Sequence, residues 1–419
     1  MSNPSESSIE FQCTQCSTSL KVGTSMAGNQ VKCPKCDHIN QVPRHSVAAD
    51  ALTEQTDDNI VDLLELQDQP TPQTDQPTTN ISPLAEQRIS GNNTNDRKVG
   101  EQTPTRELYQ KIRSEIEKVF IGQDELVQGT LVALFSGGHV LIESAPGLGK
   151  TLFVRTLGKI LGCDFGRIQF TADLMPSDVT GAPIFNMKTQ EFEFRPGPVF
   201  TQFLLADEIN RSPAKTHAAL LEIMQEKRVT VDGTTHPLKL PFLVVATQNP
   251  LESEGTYNLP EAQLDRFMLK LKADYPSEAE EARILLMHGG QTELEDQLDN
   301  EIQQVTSSEE IQQITKETAE VRIDPLLVDY INRIVRLTRQ WPQLYLGASP
   351  RAGISLMQGA RTLAAFMGRD YAVPDDVIEI AISVLRHRVQ LTAEAEVEGQ
   401  DVDQILSGLI RSIEVPRLK

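Results

Sequence analysis

Apolar positions along the chain fall into two rhythms. From about residue 105 onward, short continuous apolar runs recur: GHVLIES, GRIQF, QFLLAD, PFLVVAT and FMLKLKA. Each is bounded by polar or turn-forming residues and is too short for a helix, so each is predicted to be a buried strand. Between them the period lengthens. RELYQKIRSEIEKVF carries Leu108, Ile112, Ile116 and Val119 at helical spacing, and KTLFVRTLGKIL reads as another helix. Strands alternating with helices predict a parallel sheet covered by helices on both faces, an α/β fold. Two segments interrupt the alternation as hairpins. IFNMKTQEFEF (184–194) turns at its Lys-Thr-Gln, and RVTVDGTTHPLKL (228–240) carries an Asp-Gly turn signal. After Tyr275 the pattern is helical. The predicted organisation is an α/β core over 105–275 and an all-α lid domain over 276–419.

Upstream the rhythm disappears. Residues 44–104 are rich in Thr, Gln, Asn, Asp and Pro, hold no Phe, Tyr or Trp, and carry more acidic than basic side chains. Such a segment buries too little apolar surface to offset the entropy of ordering, so it is predicted to be a disordered acidic linker. Its one apolar patch, NIVDLLEL (59–66), reads as a transient helix, with a short partner-binding helix as the alternative.

Four of the five cysteines lie before the linker, within residues 10–43. CTQC and CPKC supply Cys13, Cys16, Cys33 and Cys36 as two C-x-x-C knuckles 16 residues apart. That spacing falls in the range of four-cysteine zinc sites. So short a unit cannot fold on its own core, and Zn²⁺ held by four thiolates would supply the missing stability. The intervening SLKVGTSMAGNQVK suits short strands, and the unit resembles a zinc ribbon. Cys163 stands apart and is expected to be a buried or half-buried thiol.

Charge narrows the function classes. With 39 Lys and Arg against 59 Asp and Glu, the net charge is −20, which argues against general affinity for nucleic acid or anionic membrane. No apolar run approaches the ~18 residues of a membrane span. The opening MSNPSESSIE lacks the basic segment and apolar core of a signal peptide, so the expected location is cytoplasmic.

The chemistry concentrates around LIESAPGLGKT (141–151), which ends a predicted strand and opens a helix. That is the setting of a phosphate-binding loop, G-x-x-x-x-G-K-[ST]. Ser144 stands where the first glycine is usual; Ala145, Pro146, Gly147, Leu148 and Gly149 follow, then Lys150 and Thr151. Backbone N–H groups at a helix start suit phosphate. Lys150 would reach the β and γ phosphates of ATP, and Thr151 would ligate Mg²⁺. A serine at 144 costs little if its φ is negative, so the site is expected to be active. FLLADE ends in Asp207 and Glu208, where open α/β sheets bind ligand. Asp207 would hold Mg²⁺ through water and Glu208 would polarise the attacking water. Asn249, at the end of PFLVVATQNP, would hold that water near the γ phosphate. LPEAQLDRF places Arg266 at a helix end. In GASPRA, Ser349 reads as an N-cap and Pro350 as the first helical residue. Arg351 then opposes the helix dipole, which points to a tie such as a phosphate.

Residues from about 105 to the end resemble the MoxR family of AAA+ ATPases. The matching runs are FTADLMPSDVTG, GPVFTQFLLADEINRSPAKTHAALLEIMQE, VTVDGTTHPL, PFLVVATQNP, EGTYNLPEAQLDRF, GASPRA and VPDDVIEIAISVLRHRV. The resemblance implies an ATPase that assembles as a homo-oligomeric ring, often a hexamer, and remodels or matures client proteins. It assigns Lys150 and Thr151 to Walker A, Asp207 and Glu208 to Walker B, and Asn249 to sensor 1. Arg266 becomes an arginine finger serving the neighbouring subunit and Arg351 becomes sensor 2. The two hairpins match this branch's helix-2 and pre-sensor-1 inserts. The chain departs from the family at Ser144, usually Gly, and at Asn258, often Pro.

The leading expectation is therefore an ATP-driven remodelling chaperone whose zinc ribbon acts as an adaptor on a tether. Von Willebrand A-type proteins are the implied partners. A nucleic-acid motor or transcription regulator is the alternative from another class. Lys21, Lys32, Lys35 and Arg44 give the ribbon only a modest basic patch. A chelatase-like metal-insertion subunit would use the same machinery.

Overall fold

The structure, a computed structural model, describes residues 8–16, 18–23, 26–36, 38–42, 100–249, 257, 259–289 and 301–417. The linker expected over 44–104 lies outside these up to residue 99, as do the patch at 59–66 and Asn258. The chain divides into two compact units, Met1–Asn93 and Thr94–Lys419.

Among its described residues, the N-terminal unit forms two antiparallel hairpins. β1 (Ser8–Gln12) pairs with β2 (Ser19–Gly23), and β3 (Gln30–Lys32) pairs with β4 (Ile39–Gln41). Alternation along β2 buries Leu20 and Val22. Val22, Val31 and Val42 form one small cluster, and Leu20 packs with Cys13 and Cys33 in another. The halves repeat with a 20-residue offset: Cys13 N donates to Thr18 O and Cys33 N to His38 O, each at 2.8 Å.

The larger unit is built on a five-stranded parallel sheet. Its strands are β5 (Val140–Ser144), β6 (Phe165–Gln169), β9 (Phe203–Asp207), β12 (Leu243–Gln248) and β13 (Leu269–Ala273). They lie in the order β13-β5-β12-β9-β6. The continuous apolar runs are explained by burial on both faces. Val140, Ile142, Val245 and Leu205 join a cluster with the helices Pro104–Ile116, Asp124–Phe135 and Lys150–Ile160. Leu141, Val244, Leu204 and Ala206 join another with the helix Ala214–Glu226. The two expected hairpins are present as β7 (Gly181–Asn186) with β8 (Glu191–Pro196), and β10 (Arg228–Val231) with β11 (Thr234–Pro237). Asp232 and Gly233 both have positive φ, 48° and 77°, as a tight two-residue hairpin turn requires.

Among the described residues the remainder is mainly helical: Glu278–His288, Ser308–Glu320, Pro325–Thr338, Pro350–Phe366, Pro374–Leu385 and Val402–Arg411 are its longer helices. One short pair, β14 (Leu344–Leu346) with β15 (Gln390–Leu391), is set among them. Among the described residues, no helix is long and apolar enough to cross a membrane.

Candidate nucleotide site and cysteine cluster

β5 ends at Ser144, and the chain then turns through Ala145–Gly149 into the helix Lys150–Ile160. Gly147 and Gly149 have φ of 83° and 74°, which side chains other than glycine rarely adopt. Ser144 is not among the positive-φ residues, and its side chain is buried, so the serine fits at no backbone cost. The helix has no side-chain cap at Gly149. A Cβ placed on Gly147 would meet nothing within 4 Å. Uncapped N–H groups and open space above the loop suit a phosphate. Lys150 Nζ rests on Ala145 O at 3.3 Å. Burial pushes its ammonium below the ordinary lysine value, while Asp207 and Glu208 oppose the shift.

The parallel register sets the carboxylates beside this loop. Ala246 lies opposite Ala206 and Gln248 opposite Glu143, so the ends of β9, β12 and β5 align. Asp207 is buried and Glu208 sits at φ 55°, an uncommon conformation for a side chain of this kind. Thr247 contacts both. Its Oγ1 accepts from Glu208 N at 2.8 Å and donates to Asp207 Oδ1 at 2.7 Å. Arg167 donates to Asp207 Oδ2 at 2.7 Å. Gln169 Nε2 (2.7 Å) and Arg211 Nε (3.0 Å) hold Glu208 Oε2. Asn249 follows β12 directly and is buried. Burial alone would raise the Glu143 carboxyl. Lys270 at 2.6 Å and Gln248 at 2.8 Å outweigh burial and hold it below the usual range. Sequence reasoning passed over Thr247, although a polar residue inside the apolar run FLVVAT was its signal.

Beside the loop lies an apolar pocket of about 530 Å³, also missed from sequence. Phe120, Ile121, Leu148, Leu152, Tyr275 and Ile284 contribute to its walls. Its size and apolar lining suit a flat heteroaromatic base.

Arg266 and Arg351 are elsewhere. In the parallel pairing of β13 with β5, Leu269 faces Val140 and Ala273 faces Ser144. Arg266 precedes β13, so it lies beyond the amino ends of the strands. The four residue steps of β5 alone put about 13 Å between that edge and the loop. There Arg266, Arg351, Lys227 and Asp265 line a cleft of about 370 Å³ together with Gly138 and His139. Arg266 Nε is buried with no hydrogen-bond partner among the described residues. Ser349 caps the helix Pro350–Phe366, as the sequence predicted, accepting from Arg351 N at 3.1 Å. The structure thus places Lys150 and Thr151 at the start of the helix after the loop, beside the strand ends that carry Asp207, Glu208 and Asn249, and it places Arg266 and Arg351 around one cleft at the sheet's opposite end.

In the N-terminal unit, the Sγ atoms of Cys13, Cys16, Cys33 and Cys36 all lie within 4.8 Å of one another. The Cys13–Cys36 and Cys16–Cys33 separations are 3.6 Å. A tetrahedral Zn²⁺ with sulfurs at about 2.3 Å would set them about 3.8 Å apart, so the four thiolates fit that metal. Asn40 Nδ2 donates to Cys13 Sγ at 3.3 Å, and its Oδ1 accepts from Thr14 N at 2.9 Å. Cys163 is buried and far from this cluster in sequence, and burial pushes its thiol up to about 12.

Comparison with known proteins agrees with this geometry. Residues 139–269 match the ATPase family associated with various cellular activities (AAA), and residues 336–409 match the AAA lid domain. The chain is 47% identical over 309 residues to an uncharacterized protein, YeaC, of Bacillus subtilis, covering 74% of this chain and 95% of that one. It is 42% identical over 313 residues to Chaperone MoxR1 of Mycobacterium tuberculosis, covering 73% and 81%. A putative ATPase from Cytophaga hutchinsonii, known from its crystal structure, superposes with a TM-score of 0.70 at 42% identity, covering 75% of this chain and 96% of that one. A phosphate loop and carboxylate pair on a five-stranded parallel sheet, next to a helical lid, thus occur here in a sequence close to these relatives, and the chain belongs to the MoxR family of AAA+ ATPases.

Proposed function

We propose that this ATPase works as a ring of identical subunits that remodels client proteins. One observation carries the reading: Arg266 and Arg351 sit at the end of the sheet opposite their own phosphate loop. A subunit so built supplies arginines to one site and a phosphate loop to another, and only assembly completes either. The relative named Chaperone MoxR1 supports client proteins as the substrate class. Von Willebrand A-type partners, a hexameric ring and a cytoplasmic location belong to the same proposal.

In this reading ATP lies with its base in the apolar pocket and its phosphates over Gly147 and Gly149. Thr151, with Asp207 through water, would hold Mg²⁺, which neutralises phosphate charge. Lys150 binds the β and γ phosphates. Glu208, with Asn249, orients the attacking water and takes its proton as oxygen bonds to the γ phosphorus and the bond to the β-phosphate oxygen breaks. Catalysis is by positioning and charge stabilisation, and an arginine from a neighbour contributes about 10³–10⁵ in rate. The N-terminal cysteines would hold a structural Zn²⁺ as a ribbon that recognises a client or partner.

The test uses two variants. Arg266→Ala is expected to bind ATP normally, hydrolyse it poorly, and regain turnover in confirmed mixed assemblies with Lys150→Ala, whose intact arginine serves the neighbour's intact loop. Wild-type turnover by Arg266→Ala alone would remove the observation's significance. A Glu208→Gln trap, purified with its bound proteins, identifies the clients.

A further inference from the structure

The turn that carries Arg266 is held by side chains from the helical domain. Asp265 receives Arg388 Nε at 2.8 Å and Ser349 Oγ at 2.9 Å, and Arg351 Nη1 lies 3.8 Å away. Arg388 is buried, and its remaining donors are all engaged. Nη1 reaches Val384 O at 2.7 Å and Met268 O at 3.1 Å; Nη2 reaches Phe267 O at 2.7 Å, Ser355 Oγ at 3.2 Å and Asp265 O at 3.3 Å. This one guanidinium grips the backbone on both sides of Arg266. The same Asp265 carboxylate orients the Ser349 hydroxyl that caps the helix bearing Arg351.

A buried guanidinium is tolerated when a counter-charge and a full set of acceptors surround it. Asp265 and the carbonyls of the turn supply them, so the arrangement has one geometry rather than many. Arg266 belongs to the core and Arg351 to the helical domain, and long flexible side chains on separate elements do not keep a fixed spacing unaided. We propose that Asp265 and Arg388 are positioning residues that lock Arg266 and Arg351 into one pair aimed at the terminal phosphate bound by the adjacent subunit. The proposal rests on the ring reading above.

Asp265→Asn keeps the shape and removes the charge. Since a displacement of about 1 Å can cost up to ~10²-fold, turnover should fall at least about tenfold while ATP affinity stays within about twofold. In confirmed mixed assemblies with Lys150→Ala, turnover should return, because the neighbour's locked pair serves the intact loop. Ser349→Ala leaves every Arg388 contact in place and covers the case in which Asp265→Asn does not fold. It should show the same pattern more weakly, and Ser349→Thr should restore the wild-type rate. Unchanged turnover in these variants overturns the proposal. So does loss of ATP affinity, or failure of rescue where Arg266→Ala is rescued under the same conditions, since the defect would then lie in the subunit's own site. If Arg266→Ala itself is not rescued in confirmed mixed assemblies, the ring reading falls and takes the proposal with it.

Discussion

Three valines, Val22, Val31 and Val42, make up the buried part of one apolar cluster in the N-terminal unit. In the ATPase unit both faces of a five-stranded sheet are covered, and side chains as large as Phe135, Phe153, Phe203 and Tyr330 are fully buried. The small unit gathers four cysteines beside two small apolar clusters, where the large one has an extensive core. The contrast predicts different responses to the same treatment: one unit depends on what its cysteines hold, and the other on apolar burial that no chelator affects.

The largest effect expected from this contrast is loss of the N-terminal fold on metal removal. About one Zn per chain should be found, and a strong chelator or Cys33→Ser should abolish protection of residues 8–42 from proteolysis, while ATP binding by the rest is unchanged. Metal retained after deletion of residues 1–45 would break the comparison. Lys150→Ala is the converse and should lose nucleotide binding with zinc content intact. Glu208→Gln should keep binding and lose turnover by about a hundredfold or more, the usual worth of a positioned base. Near-wild-type hydrolysis would remove Glu208 from its assigned role.

Acid should act on both units, for different reasons. A metal held by the four cysteines would be released as the thiolates gain protons. In the ATPase unit, His139 is buried, with Nδ1 accepting from Val244 N and Nε2 donating to Met224 O. Burial is the main cause that pushes its pKa down from 6.5 to about 4. The unfolded chain therefore binds the proton first, and stability present above about pH 6.5 is lost as pH falls toward 4, on the order of 1–3 kcal/mol. Thermal unfolding between pH 7 and 5 should show a shallower decline in His139→Gln than in the wild type. The smallest effect belongs to Ser144→Gly, expected to change turnover by less than about tenfold, or roughly 1.4 kcal/mol. A large gain would mean that the buried serine, whose hydroxyl has no hydrogen-bond partner among the described residues, slows the enzyme.

Much of the ATPase unit was legible in the sequence because its information is local. Each apolar run became a strand, Asp232-Gly233 made its turn, and the glycines at 147 and 149 took the conformations that the loop needs. Ser349 capped its helix as read. What escaped notice depends on long-range contact. Phe120, Leu148 and Tyr275 meet around one pocket from three distant stretches. Arg388 reaches Asp265 across 123 positions. That Arg351 and Arg266 line one cleft depends on how helices pack at the amino ends of the strands, which periodicity along one segment does not encode.

The 20-residue repeat of the N-terminal unit is imperfect at one telling place. Leu20 in the first half corresponds to Asn40 in the second, and Asn40 reaches back to Cys13 Sγ. Cys16 Sγ contacts Thr18 Oγ1 at 3.1 Å, whereas among the described residues no such side-chain contact beyond the cluster reaches Cys33 or Cys36. Cys36 keeps a hydrogen bond from the His38 backbone, whereas Cys16 has both the backbone and the hydroxyl of Thr18, so the four cysteines are unequal in nucleophilicity, since hydrogen bonds withdraw electron density from sulfur. Cys33 is shielded by burial and Cys36 is half-exposed. Oxidants and alkylating reagents should open the cluster from Cys36, giving an apparently symmetrical site a single point of failure.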